Sequence, residues 1–285
     1  MSVDPVWTRL VRFVAPDGRI LCGQPSDPEV DVGLAVAAQQ PVSVRVLDGA
    51  SALDNSSFTG EVTTIQKLLS PLAASEVGTI RAIGLNYTDH AAELKMTIPT
   101  IPEVFMKPST CLQDPTASVK IPKSAGDAVD AEVELAIVIG KDCKDVDEAS
   151  ALDYVLGYTV ANDITCRDVQ SRTSQWGFSK GFDGFCPLGP ALVSAKVLPD
   201  LSVLKLKTVL DGKVLQDGKS ADMIFSIPKI ISHLSQVRCN TTKTQAVDSH
   251  LLVGLDVAQR YGDPHRNAFG YWTQPQAPCL SQGWL

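Results

Sequence analysis

Two glutamates, Glu132 and Glu134, stand at the head of a run that is otherwise apolar and rich in β-branched side chains, EVELAIVIG (132–140). Such a run suits a buried strand, and alternate residues of a strand leave the same face. Val133, Leu135, Ile137 and Ile139 therefore share one face, while the two carboxylates share the other with Ala136 and Val138. Alternating acids usually mark a solvated face, but the apolar continuation makes both faces of this strand look buried. Two like charges there repel and are costly to desolvate, and a bound cation is the simplest relief. An oxygen-donor site without clustered His or Cys selects Mg2+ or Mn2+, with Ca2+ behind them. A second apolar run, YVLGYTVAND (154–163), ends at Asp163, where a third carboxylate could converge. Alone, that aspartate reads as a strand-end turn residue.

The chain has 285 residues, 44% of them hydrophobic and 20% charged, enough for one large domain and a small companion. A net charge of −7 without clusters of Lys or Arg gives no footprint for nucleic acid, so an anionic substrate would need a local cation. The seven cysteines are scattered, with no Cys-x-x-Cys pair, which argues against a zinc ribbon or a thioredoxin-like site. Reduced thiols fit a cytoplasmic protein, or one of an organelle matrix such as the mitochondrial. The first residues lack a basic segment followed by an apolar one, and no apolar stretch reaches the roughly 18 residues of a membrane span.

Residues 9–14, 19–23 and 42–47 read as short strands, the first two joined by the turn signal Pro16-Asp17-Gly18. Residues 1–70 are thus expected to form a small β-rich N-terminal domain. TIRAIGLNY (79–87) is strand-like, and a short helix should begin near Asp89. DVDEASALDYV (145–155) has helical spacing. LSVLKLKTVL (201–210), Asp211-Gly212 and KVLQ (213–216) predict a hairpin with a type I′ turn. Ser226 can cap a helix whose apolar stripe is Ile227, Ile230, Ile231 and Leu234. Segment 237–285 differs in kind: it has no Ile, no Glu and one Lys, with periodicity only in HLLVGLDVA (250–258).

His90 and Glu93, three apart in the short helix, share a face. A carboxylate beside an imidazole raises its basicity and fixes its orientation, as a water-activating base requires, although many surface helices carry such a pair. Lys180 lies in a glycine-rich loop, GFSKGFDGF, where a solvated lysine is the plain alternative.

GLNYTDHAAE (84–93), VFMKPST (104–110), DAEVELAIVIGK (130–141), GYTVANDITCRDVQ (157–170), WGFSKGFDGFCPLGP (176–190) and DMIFSIPKIISHLS (222–235) follow one another in the chain. In that order they resemble successive blocks of the fumarylacetoacetate hydrolase family, especially its acylpyruvate hydrolase and oxaloacetate decarboxylase branch. The resemblance covers roughly 78–236, and the region before it is similar to the small N-terminal domain of longer members. It implies an α+β, mostly β fold: a mixed β-roll, usually in a homodimer. It implies Glu132, Glu134 and Asp163 as metal ligands, His90 and Glu93 as the water-activating dyad, and Lys180 as the lysine that steadies a developing oxyanion. Arg167 and Gln170 match residues that orient substrate. The activity implied is metal-dependent hydrolysis of a C–C bond in acylpyruvate-like 2-oxo acids, with oxaloacetate decarboxylase or 2-oxo acid isomerase behind it. A member without activity, serving in binding or structure, is the reading from another class.

After Ser235 relatives continue with a Gly-containing turn, a buried strand and a Thr-Gly-Thr-Pro loop that reaches the substrate site, and none of these is seen here. The catalytic domain, 71–236, is therefore expected to be truncated, and 237–285 to be an atypical tail from an altered reading of the gene, leaving a core strand missing. In the other reading HLLVGLDVA re-covers the core as a replacement strand or helix.

Overall fold

The computed structural model describes residues 4–88, 91–92, 95–236 and the backbone of 251–253. It is mostly β, as the patterning predicts. The N-terminal part holds β1 (Arg9–Val14), β2 (Ile20–Pro25), β3 (Ser43–Leu47), β4 (Phe58–Thr64) and β5 (Lys67–Leu69). A tight turn at Gly18, with φ 86°, joins β1 to β2, a conformation glycine adopts without the Cβ penalty. Val11, Phe13, Val44 and Leu68 pack with Val32 and Ala35 of the helix Val32–Ala37, which the Asp31 side chain caps. β1 also pairs with β13 (Cys186–Ser194) through Arg9 and Leu10, so these strands continue the main sheet.

That sheet has twelve strands among the described residues. Beyond β1 and β13 lie β11 (Val155–Asn162) and β10 (Val133–Ile139), and at its far edge β6 (Thr79–Gly84) and β7 (Glu103–Pro108). All seven residues of β10 are buried. Val133, Leu135, Ile137 and Ile139 pack with Ile83, Phe225, Ile227 and Ile230 on one side. Ala136 and Val138 pack with Trp7, Leu10, Leu188 and Leu192 on the other. The strand that carries Glu134 and directly follows Glu132 is thus clamped on both faces, as its composition predicts. Short pairings add β8 (Leu112–Gln113) beside β13, and β9 (Val129–Asp130) beside β12 (Thr165–Cys166).

β14 (Lys205–Leu210) and β15 (Lys213–Lys219) form the expected hairpin, with φ 50° at Asp211 and 76° at Gly212, both positive as a type I′ turn requires. Ser226 accepts a hydrogen bond from Lys229 N at the start of the helix Ile227–Ser235, which buries Ile227, Ile230 and Ile231. Residues 145–155 depart from their helical spacing and keep only a single 3-10 turn, Ala151–Tyr154. Asp147 accounts for it: its carboxylate takes both Ser150 N and Ser150 Oγ at 2.8 Å, a local turn that competes with helix.

The tail also departs from the first expectation. Leu251–Val253 forms β16, antiparallel to β10 (Ala136 opposite Val253) and parallel to β6 (Leu252 opposite Arg81). A β-prone triplet of the chain's own tail fills the place between two core strands that would otherwise be an open edge. The rest of 237–285 lies outside the described residues. No helix among the described residues is long and apolar enough to cross a membrane.

Candidate metal centre

β10 and β11 are antiparallel, with Val133 opposite Asn162, so Glu132 and Asp163 face each other one step beyond the ladder. Asp163 N donates to the Glu132 carbonyl at 2.8 Å, which fixes that register. Residues opposed in this way project from one face of the sheet, and Glu134 lies on the same face. The three carboxylates bring one oxygen each to within 4.8 Å of one another. Their residues are almost fully buried, with exposures of 0% for Glu132 and 1% for Glu134 and Asp163.

Three cations surround them. Lys180, at the end of the short helix Gly177–Lys180, places Nζ 2.6 Å from Glu132 Oε2, 2.6 Å from Asp163 Oδ2 and 2.7 Å from Thr165 Oγ1. Thr165 in turn donates to Glu132 Oε2 at 2.9 Å. Lys107 approaches from β7, its Nζ 2.5 Å from Asp163 Oδ1. Arg167 pairs with Glu132 Oε1 and holds Asp130 Oδ2 through both Nε at 3.0 Å and Nη2 at 2.8 Å. Its Nη1 donates to Gln170 Oε1 at 2.9 Å. Burial pushes the Asp130 carboxyl above its ordinary value, and Arg167 opposes that shift. The Phe105 ring lies 4.9 Å from Lys180 Nζ and meets Trp176 edge-on. Gly84 permits that packing, since a Cβ there would fall 2.5 Å from the Trp176 ring.

The donor set fits a hard divalent ion: three carboxylates and no sulfur or imidazole among the residues of the cluster. Lys180 makes the same point with its own charge, because its ammonium bridges Glu132 and Asp163 where like charges would otherwise repel. Arg167 and Gln170 are adjacent to this centre and hydrogen-bonded to each other. His90 and Glu93 lie outside the described residues. Lys107, Thr165 and Asp130 have no role in the sequence reading, although all three occur in its family-like blocks. Strand alternation could have exposed Lys107, because Val104 and Met106 face out of β7 while Lys107 is buried.

The sequence profile of the fumarylacetoacetate (FAA) hydrolase C-terminal family matches residues 79–242, reaching past Gln236. A caffeoylpyruvate hydrolase from Neonothopanus nambi is 39% identical over 241 residues, covering 82% of this chain and 78% of the relative. Among solved structures, a 2-hydroxyhepta-2,4-diene-1,7-dioate isomerase from Mycobacterium marinum superposes with a TM-score of 0.71 at 31% identity, covering 89% of this chain and 90% of that one. A 5-carboxymethyl-2-hydroxymuconate delta-isomerase from Mycobacterium smegmatis gives 0.70 at 30% identity, covering 88% and 90%. With its mostly β sheet, its acidic centre and these likenesses, the chain belongs to the fumarylacetoacetate hydrolase family.

Proposed function

We propose that this protein is a divalent-metal-dependent hydrolase that cleaves a C–C bond in acylpyruvate-like 2-oxo acids. The observation that carries the reading is the buried trio Glu132, Glu134 and Asp163 with Lys180 against two of its members. The caffeoylpyruvate hydrolase likeness supports the substrate class. Mg2+ or Mn2+ is the proposed ion, and when bound it would supply Lewis acidity to the keto oxygen of a 2-oxo acid. Among the described side chains, Asp130, Glu132, Glu134 and Asp163 face Lys107, Lys180 and Arg167, four negative charges against three positive. Two further positive charges leave one in excess, which suits a ligand bearing a carboxylate.

Lys180 is the donor for an oxyanion that develops at the keto group, because its short side-chain contacts hold its buried ammonium in place. His90, oriented by Glu93, takes the proton from the attacking water. Water adds to the acyl carbonyl, the C–C bond breaks toward the pyruvate fragment, and that fragment gains a proton. Acylpyruvate and water thus give a carboxylic acid and pyruvate. Arg167 and Gln170 position the substrate, and the active assembly is a homodimer. The two structural neighbours named as isomerases favour tautomerisation as the second reading, since it needs proton transfer alone.

The test follows pyruvate by a coupled assay and the carboxylic acid by NMR, using an acylpyruvate with Mg2+ or Mn2+. Metal-dependent release of both products in equal amounts is expected; interconversion of enol and keto forms without pyruvate would select the isomerase. Thermal melting tests the ion separately. Mn2+ should stabilise the wild type, and Glu134→Gln should lose that stabilisation. An unchanged Mn2+ shift in Glu134→Gln would show the site to be misassigned.

A further inference from the structure

Lys107 is a fully buried charge, its exposure 0%, on the inward face of β7. An ammonium so placed is costly unless paired, and its contacts are Asp163 Oδ1 at 2.5 Å and the Ile164 carbonyl at 3.5 Å. The other oxygen of the same carboxylate, Oδ2, is 2.6 Å from Lys180, which joins it to Glu132 Oε2. The two oxygens of Asp163 are therefore unequal. Oδ1 is drawn toward β7 by Lys107, and Oδ2 lies on the side of the glutamates.

We propose that Lys107 is a positioning residue that makes Asp163 a one-oxygen ligand and so tunes the centre toward Mg2+ and Mn2+ over Ca2+. The inference rests on reading Glu132, Glu134 and Asp163 as a metal centre. Ca2+ takes about 6–8 oxygens at about 2.3–2.6 Å and accepts both oxygens of one carboxylate, whereas Mg2+ demands near-ideal octahedral geometry at about 2.0–2.1 Å. Mn2+ shares the preference for octahedral oxygen ligands. A carboxylate free to turn offers two oxygens and favours the larger ion. One held at Oδ1 offers Oδ2 alone.

Charge and geometry predict different results. Deleting the ammonium removes a positive charge and strengthens binding of every divalent cation by the same electrostatic route. Only a geometric role changes the ratio between ions. The experiment measures dissociation constants for Mn2+ and for Ca2+ by calorimetry, on full-length wild type, Lys107→Met and Lys107→Arg. Lys107→Met should lower the ratio of Mn2+ to Ca2+ affinity by about tenfold, the low end of what losing an outer partner of a metal ligand does to affinity. Lys107→Arg, which keeps a charged donor, should recover most of it.

A second measurement needs no variant. Infrared difference spectra of the wild type, labelled with 13C-aspartate, should show the wide carboxylate splitting of one-oxygen ligation when Mg2+ is added. Equal changes for both ions in Lys107→Met, or a two-oxygen signature in the wild type, overturn the role of Lys107 while leaving the metal centre standing. Failure of the wild type to bind either ion overturns both.

Discussion

Glu132 and Asp163 are joined twice at the end of the β10–β11 ladder: by the main-chain hydrogen bond from Asp163 N, at 2.8 Å, and by the Lys180 ammonium, 2.6 Å from one carboxylate oxygen of each. The backbone link sets the distance at which two buried negative charges must coexist, and the lysine makes that distance tolerable.

Lys180→Met should therefore act in opposite directions on stability and on metal binding. Without added metal the variant should be destabilised by about 3–5 kcal/mol, the cost of removing one partner from a buried ion pair. Added Mn2+ should restore more of its melting temperature than it adds to the wild type, because the ion no longer shares the carboxylates with an ammonium. Turnover should not return, since the proposed oxyanion donor is gone. Identical metal-free melting of variant and wild type would show that Lys180 does not hold the trio together.

His90→Ala should lose roughly 10²–10⁴-fold in acylpyruvate hydrolysis, the usual share of a positioned acid–base group. Oxaloacetate loses CO2 without an attacking nucleophile, so its decarboxylation should suffer less. Steady-state rates on both substrates decide the matter. Equal losses would mean that His90 supports binding and does not activate water.

The carboxylate centre was legible because strand period and apolar continuation are local signals. Glu132 and Glu134 share a face in any strand, and burial of that face follows from Ala136 and Val138. The hairpin at Asp211-Gly212 and the helix capped by Ser226 were legible for the same reason, since a turn type and a cap are each written within a few residues. Lys107 and Thr165 were not. Their roles depend on β7 and the β9–β12 pair being brought against the end of β10, which no local spacing encodes. Residues 145–155 misled because helical spacing there competes with the turn that Asp147 makes with Ser150. The β16 pairing was legible only as an alternative, because an apolar triplet in a poorly periodic tail does not say which strands it will join.

Five thiols, those of Cys22, Cys111, Cys143, Cys166 and Cys186, are buried, and burial raises each above the ordinary value. Cys111 and Cys166 are pushed up to about 11, and Cys22 and Cys186 to about 12. The thiolate is the nucleophile, and at pH 8 a thiol of pKa 11 is ionised to only ~1 part in 10³. A short iodoacetamide pulse on the native protein at pH 8 should leave all five unlabelled, and raising the pH to 9 should change little while the fold holds. The same pulse in denaturant should label every one. Peptide mass spectrometry reads both states; native labelling of Cys111 or Cys166 would mean that the core beside the carboxylate cluster opens.

The last prediction concerns the tail. Leu252 pairs with Ile137 of β10 on one side and with Arg81 of β6 on the other. Without that strand two core strands lose their shared neighbour, and exposed sheet edges promote association between chains. A chain ending at Gln236 should therefore melt at lower temperature than the full-length protein or form higher oligomers. Leu252→Pro probes the same contact without deletion. Proline removes an amide donor from the ladder and fixes φ, and within sheets it is confined to edge strands and bulges. β10 also carries the face that continues into Glu134, so both variants should weaken Mn2+-dependent stabilisation. A distant, purely structural tail would leave that response intact. The comparison needs melting curves with and without Mn2+, and light scattering for the assembly state. If the chain ending at Gln236 unfolds cooperatively at the full-length temperature, and in the same assembly state, then Leu251–Val253 is no part of the core sheet and the fold closes without it.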